Sequence, residues 1–264
     1  MENSQWVVLG IGAVALLVGL ILVFLGYRGR KKLGVMAATA TVGTSEAVRA
    51  AQMAPGSRVE IVGTAETKDP LLSPTGQIPC VYYSYKLEHR IERRERDEST
   101  GNWETSESWK TVDSREEAVP FLVRDSSGEI TVFPDGADFI AETRTNEGYG
   151  GGRDYLESTG SIAGGILQSV LNAADDDSES VLGYKITESV IRVGQPVFVT
   201  GNAKRSGDVA SVGKEDGPLI ISYKMEEELA KKYRRSSALQ YAFGAILAIA
   251  GIVGMIYAVA FMAN

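Results

Sequence analysis

Apolar residues are arranged in two different ways along the chain. From Trp6 to Tyr27, WVVLGIGAVALLVGLILVFLGY runs for 22 residues without a charge or a proline, and from Ala238 to Met262, ALQYAFGAILAIAGIVGMIYAVAFM does so for 25. At 1.5 Å per residue the shorter run makes roughly 33 Å of helix, enough to cross the hydrocarbon core of a bilayer. Such length without a polar face predicts two membrane-spanning helices, 6–27 and 238–262, rather than helices of a soluble core.

Between them the period changes to two, the signature of half-buried strands. RVEIVGTAE sets Val59, Ile61 and Gly63 against Glu60 and Val62. CVYYSYKLEHRIERRER places Val81, Tyr83, Tyr85, Leu87, His89 and Ile91 on one face, predicted to be core, and Tyr82, Ser84, Lys86, Glu88 and Arg90 on the other. DESTGN then turns and WETSESWKTV returns, which predicts a long hairpin whose charged outer half projects from the body. PFLVRDSSGEITVFPDGADF predicts a second hairpin, turning at Asp125 to Gly128. Further strands are expected at 181–189, 195–203 and 218–224. PGSRVEIVGTA recurs in outline as GQPVFVTGNA, a weak internal repeat that points to a pseudo-symmetric barrel or sandwich.

Thr44 or Ser45, followed by an acid in the first turn, predicts the start of a short helix ending before Pro55-Gly56. PLLSPTGQIP is too proline-rich for helix or central strand. Glu147 to Tyr155 reads as a glycine-rich linker, 161–177 as a short helix with an acidic tail, and MEEELAKKYRRSS as a helix running straight into the second span. The organisation expected is an outer N-terminus (1–5), a first span (6–27), a basic flank with a short helix (28–57), a β-rich domain (58–224), a juxtamembrane helix (225–237) and the second span. The fold class is therefore a mainly β, barrel- or sandwich-like α+β domain between two transmembrane helices.

Charge orients this arrangement. Arg28, Arg30, Lys31 and Lys32 follow the first span and Lys231, Lys232, Arg234 and Arg235 precede the second, while the outer ends carry no Lys or Arg. The positive-inside rule then places the central domain in the cytoplasm of a multi-pass cell-membrane protein, with both termini outside. The acidic start and long apolar core read as a signal anchor rather than a cleaved leader. Small residues at Gly12 and Gly19 in the first span and at Gly244, Ala248, Gly251 and Gly254 in the second are expected to let the helices pack closely. Gly10, Gly12 and Ala15 spell a dinucleotide-binding pattern, but no strand–turn–helix unit surrounds it.

The net charge is −7, and basic residues alternate with acids instead of forming a stripe, which argues against a nucleic-acid partner. One Cys and one His exclude an internal disulfide and a Cys/His zinc site, so neither metal nor cofactor is expected. Cys80 and His89 lie nine residues apart on one strand, facing opposite ways and roughly 30 Å apart if it is straight, which argues against a catalytic dyad. No nucleophile–base or metal-ligand motif is present, so no catalytic residue is assigned. What remains as candidate binding residues are the aromatic and basic side chains of the long hairpin: Tyr82, Tyr83, Tyr85, Arg90, Arg93, Arg94, Trp103 and Trp109.

The succession VEIVGTAE, PLLSP, CVYYSYKLEHR, PFLVRDSSGEITV and RVGQPVFVTGNAK, with a spanning helix on either side, resembles the GIDE domain, also called BAM for "beside a membrane". That domain occurs in a mitochondrial membrane-anchored RING-type ubiquitin ligase and in many prokaryotic membrane proteins. The resemblance implies a link to ubiquitin transfer, but the RING of those ligases binds two zinc ions through Cys and His, and this sequence cannot build one. The expectation is a prokaryotic-type, RING-lacking relative that acts without catalysis as a scaffold, recruiting an unidentified protein partner to the bilayer. Ubiquitin-ligase-like transfer and a membrane-perturbing homo-oligomer built from the spans are the alternatives.

Overall fold

The computed structural model describes residues 2–37, 39–96, 101–149, 180–206 and 209–262. The helix expected at 161–177 and the end of the glycine-rich linker lie outside them. The chain divides into two compact units: residues 1–40 with 225–264, and residues 41–224.

The first unit is a pair of long helices, one of them α1 (Glu2–Ala37) and the other, α3 (Glu226–Met262), unbroken from the juxtamembrane segment through the second apolar run. They pack through small residues. A Cβ built on Gly12 would stand 3.0 Å from the Gly251 carbonyl oxygen, one on Gly19 2.7 Å from that of Gly244, and one on Gly26 3.3 Å from that of Ser237. The seam thus repeats every seventh residue on both helices and runs antiparallel, the spacing that holds a left-handed supercoil in register. Ala248 lies on the seam, its nitrogen 2.6 Å from a Gly19 Cβ, whereas nothing lies within 4 Å of a Cβ on Gly254. Seen from the sequence, Gly26 and Ser237 were hidden by their polar neighbours Tyr27, Arg28 and Arg235. Gly19→Leu is expected to lower the melting midpoint of the detergent-solubilised helices, since backbone on α3 blocks any side chain there; Gly10→Leu, with open space around it, leaves the midpoint unchanged.

In the second unit the chain runs through β1 (Thr41–Val42), α2 (Thr44–Met53), β2 (Arg58–Glu66), β3 (Leu71–Leu72), β4 (Pro79–Arg96) and β5 (Trp103–Ala118). It continues with β6 (Phe121–Asp125), β7 (Gly128–Val132), β8 (Asp138–Ile140), β9 (Glu142–Tyr149), β10 (Ser180–Arg192), β11 (Pro196–Ser206), β12 (Val209–Gly213) and β13 (Ile220–Ser222). Five of these close a barrel in the order β2-β6-β7-β12-β11 and back to β2. All neighbours are antiparallel except β7 and β12. This is the connectivity of the five-stranded Greek-key barrel called the OB-fold. Val59, Ile61, Val123, Ile130, Val132, Val199 and Val212 fill it, and α2 adds Ala47 and Ala51.

The internal repeat marks the seam of the barrel. β2 and β11 pair about a local twofold at Ile61↔Val199, so that Val59 meets Gly201 and Gly63 meets Val197. The two repeated glycines are therefore symmetry-related, and each sits where its strand leaves one neighbour for the next: Thr64 already pairs with Arg124 of β6, and Asn202 with Gly213 of β12. A Cβ on Gly63 would lie 2.5 Å from the Arg124 carbonyl oxygen, which explains the absence of a side chain at the bend.

The N-cap of α2 is Gly43, not Thr44 or Ser45. A Cβ at Gly43 would approach Ser127 Oγ to 2.8 Å, so the site has no room for a capping side chain of its own. The cap comes instead from the β6–β7 turn, where Asp125 accepts from the Thr44 amide at 2.8 Å and Ser127 from that of Ser45 at 3.1 Å. Glu60, placed by alternation on an outer face, is fully buried. It accepts from Thr41 Oγ1 at 2.6 Å, beside an Arg58 that donates to Thr200 Oγ1 at 3.0 Å and to the Pro218 carbonyl at 2.8 Å.

Two excursions of the barrel chain, between β2 and β6 and between β7 and β11, build an antiparallel second sheet. In it β4 lies between β10 and a row made of β3 and β5, and β9 follows β10. Its own core gathers Tyr83, Tyr85, Leu87, Tyr184, Ile186 and Val190. Residues 147–149, read as linker, form the end of β9, a strand without an aliphatic side chain.

Candidate interaction surface

The long hairpin of β4 and β5 carries all eight candidate binding residues. Its inner end is fastened by tyrosines. Tyr82, Tyr83 and Tyr85 are buried, and their hydroxyls donate to carboxylates of β5: Tyr82 to Glu116 at 3.0 Å, Tyr83 to Glu117 at 2.7 Å, and Tyr85 to Asp113. Burial, reinforced by the facing carboxylate, pushes Tyr82 and Tyr83 each up to about 12, so both remain neutral donors. Tyr82 also stacks on Phe139, ring centroids 3.8 Å apart, and ties the root of the hairpin to the barrel core. These three side chains belong to the framework that aims the hairpin.

Farther out the chemistry changes. β10 accompanies β4 only as far as Glu92, opposite Ser180, whereas β4 and β5 remain paired out to Arg96↔Trp103. Among the described residues, 93–96 and 103–106 thus form a two-stranded ribbon beyond the sheet. Strand alternation gathers Lys86, Glu88, Arg90, Glu92 and Arg94 on one face with Trp103, Glu107 and Trp109 from β5. Glu88 lies between Lys86 at 2.6 Å and Lys185 at 3.1 Å. The Lys86 hydrogen bond, with Lys185 adding to it against the cost of burial, holds the Glu88 carboxyl below its usual range. Lys185 Nζ also sits 4.2 Å over the Trp109 ring. Arg90 pairs with Glu107, and Arg94 with Glu92 at 3.2 Å.

The outer pairs, Arg90–Glu107 and Arg94–Glu92, are of the solvent-exposed kind that contributes only about 0–1 kcal/mol each to stability. The ladder fixes a pattern of charge rather than the fold. Within it Trp103 is 69% exposed at the end of the ribbon, and Trp109, inside the sheet beneath Lys185, is 41% exposed. Arg93, opposite Ser106, is exposed on the other face of the ribbon. Lys185 and Glu88 escape sequence reading because only the β10–β4 register brings them together.

Nucleophilic chemistry finds no support at the remaining candidates. Cys80 is buried, its Sγ 3.6 Å from the Leu71 carbonyl, and burial together with the charge of Glu188 pushes the thiol up to about 11, which keeps it protonated and unreactive. His89 is buried in the second sheet beside Tyr184, ring centroids 6.4 Å apart.

The class these features define is a β-barrel domain in a chain that also carries two helices long and apolar enough to cross a membrane. A family model described as "GIDE: E3 Ubiquitin ligase" matches residues 89–255, from the outer half of β4 through most of α3. The match covers more than half of the chain, which therefore belongs to the GIDE family. VEIVGTAE and the PLLSP loop precede the matched region. No curated protein and no solved structure matches.

Proposed function

We propose that this GIDE-family chain is a membrane-anchored recruiting protein that acts by binding, not by catalysis, and holds a protein partner on the ribbon around Arg93, Arg94 and Trp103. The observation that carries this reading is the ribbon itself, two strands that among the described residues extend beyond the sheet and present exposed Trp and Arg, the residue types that dominate binding energy at protein interfaces. Anchoring rests on the outer surface of the helix pair, where Trp6, Ile11, Leu17, Phe243, Ile249 and Ile256 are exposed, a surface suited to acyl chains and poorly suited to water. The basic residues flanking both apolar runs favour a cytoplasmic domain.

The test uses the full-length tagged chain extracted in mild detergent. The intact protein is expected to retain a stoichiometric cytosolic partner, and the variant carrying Arg93→Glu, Arg94→Glu and Trp103→Ser to lose it by about tenfold or more, since interface Trp and Arg contribute on the order of 2 kcal/mol each. Equal recovery from both would overturn the ribbon assignment, and a partner from the opposite compartment would overturn the orientation. The family's description favours a second reading, ubiquitin transfer. A single Cys and a single His leave these residues without the ligands of a RING. Incubation with ubiquitin, activating enzyme and conjugating enzyme is expected to give no transfer above the conjugating enzyme alone; chain-dependent transfer would restore the ligase reading.

A further inference from the structure

The edge of β5 is a separate feature from the ribbon's face. Among the described residues β5 has β4 as its one strand partner, and most of its side chains are exposed, so it forms an edge of the second sheet. Long open edges invite pairing with another strand, and proteins usually blunt them with proline, lysine or a bulge. In β5 the register shift comes at Val112, between Leu87↔Asp113 and Glu88↔Thr111, so the run from Trp103 to Thr111 is regular. Within it the sequence Trp-Glu-Thr-Ser-Glu-Ser-Trp is nearly symmetric about Ser106, with a tryptophan three residues to either side.

We propose that two copies of the chain pair antiparallel through this edge, about a twofold axis at Ser106, so that Trp103 of each copy stands directly across from Trp109 of the other. In an antiparallel pair, opposed residues share a face, and residues six apart on one strand share it too. Both tryptophans then meet aromatic partners, and Arg90, opposite Trp109, lies beside each such pair on β4. Glu104 falls across from Ser108, and Thr105 from Glu107, so no like charges meet. An axis at Glu107 would oppose two glutamates, and one at Ser108 would set Trp109 against Glu107; only the axis at Ser106 pairs all four indoles. Cross-strand aromatic pairs are among the stronger contacts available to a sheet. The result is an isologous contact joining the two second sheets into one, and it shares Trp103 with the proposed partner surface.

Ser106→Cys tests the axis in the full-length chain reconstituted in detergent micelles. Opposed residues in antiparallel strands have Cα atoms about 4.5–5.5 Å apart, within the range a disulfide spans. The one native thiol, on buried Cys80, does not compete. Mild oxidation is expected to link the Ser106→Cys chains into a covalent dimer, while Ser114→Cys, beyond the bulge, stays monomeric. In sedimentation equilibrium, replacing Trp103 and Trp109 together with Thr is expected to weaken self-association about tenfold or more. A monomeric intact chain at micromolar concentration, or equal cross-linking at 106 and 114, overturns the proposal. So does a dimer that survives the double replacement, which would place the contact in the helices.

Discussion

Gly63→Ala is expected to unfold the barrel at a milder temperature or denaturant concentration than any other single-methyl addition in the domain. The new Cβ would lie 2.5 Å from the Arg124 carbonyl oxygen and 2.8 Å from a methyl of Val123. The first of these is backbone, held in the β2–β6 ladder by the neighbouring pair Thr64↔Arg124, and cannot rotate away. Either the ladder opens or β2 shifts against its other neighbour, β11. Overpacking of this kind costs typically about 1–3 kcal/mol, and the upper half of that range applies where backbone must move. The restricted unfolded state of Ala returns less than about 1 kcal/mol. Its repeat partner provides the control, because at Gly201 the nearest atoms are the side-chain tips of Leu219 at 2.7 Å and Val212 at 2.8 Å, and the backbone contact, to the Gly213 carbonyl oxygen, is longer at 3.1 Å. Gly201→Ala should therefore cost distinctly less. Equal losses in denaturant titrations of the full-length chain, followed by tryptophan fluorescence, would show that the bend is not what holds these positions to glycine.

Asp125→Asn is expected to cost about 2 kcal/mol at neutral pH and to remove part of the domain's sensitivity to acid. Burial would by itself raise the Asp125 carboxyl. The hydrogen bonds it accepts from Ser127 and Thr44 outweigh that and hold it well below the usual carboxylate range. It accepts from Thr44 Oγ1, the Ser127 amide and Ser127 Oγ at 2.7 Å each, from the Thr44 amide at 2.8 Å and from the Gly128 amide at 3.1 Å. Loss of a helix cap costs about 0.5–2 kcal/mol, and hydrogen bonds to a charged acceptor about 1.5–3. Because the folded state has the lower pKa, the native chain binds fewer protons than the unfolded one once the pH drops toward the unfolded value of about 4. The stabilisation is complete above that value and is lost as the pH falls below it toward the folded one. Thermal melts between pH 7 and pH 3 should show the intact chain losing more stability than the Asn variant, and parallel curves would count against a role for the charge.

How far the sequence discloses this molecule depends on the range of the interactions involved. Uninterrupted apolar runs announce the two helices, and strict alternation from Val81 to Ile91 announces β4 with its buried face. The GQPVFVTGNA repeat reveals kinship between β2 and β11, though not that the two strands pair. Polar β9 is invisible because its exposed edge position demands no apolar residue. Buried Glu60 looks like a solvent residue until Thr41 closes over it. The cap of α2 and the Lys185 contact with Trp109 each join segments more than 70 residues apart, and no local pattern encodes such a meeting. Of the candidate surface, Arg90, Arg93, Arg94, Trp103 and Trp109 were legible as a charged hairpin, while the framework role of Tyr82, Tyr83 and Tyr85 emerges only when their hydroxyls are followed to β5.

The seam of the barrel also dictates an order of events during synthesis. Ile61 and Val199, which face each other across it, are 138 positions apart, and everything that makes the second sheet is translated between them. Pairing over such a separation is entropically slow. β2 emerges early and must wait, its edge unsealed, until β11 leaves the ribosome, by which time the β4–β5 hairpin, a local structure, is already able to form. The β4–β5 hairpin can thus form before the barrel that carries it is closed, and any delay in closure prolongs the interval in which an open strand can find the wrong companion.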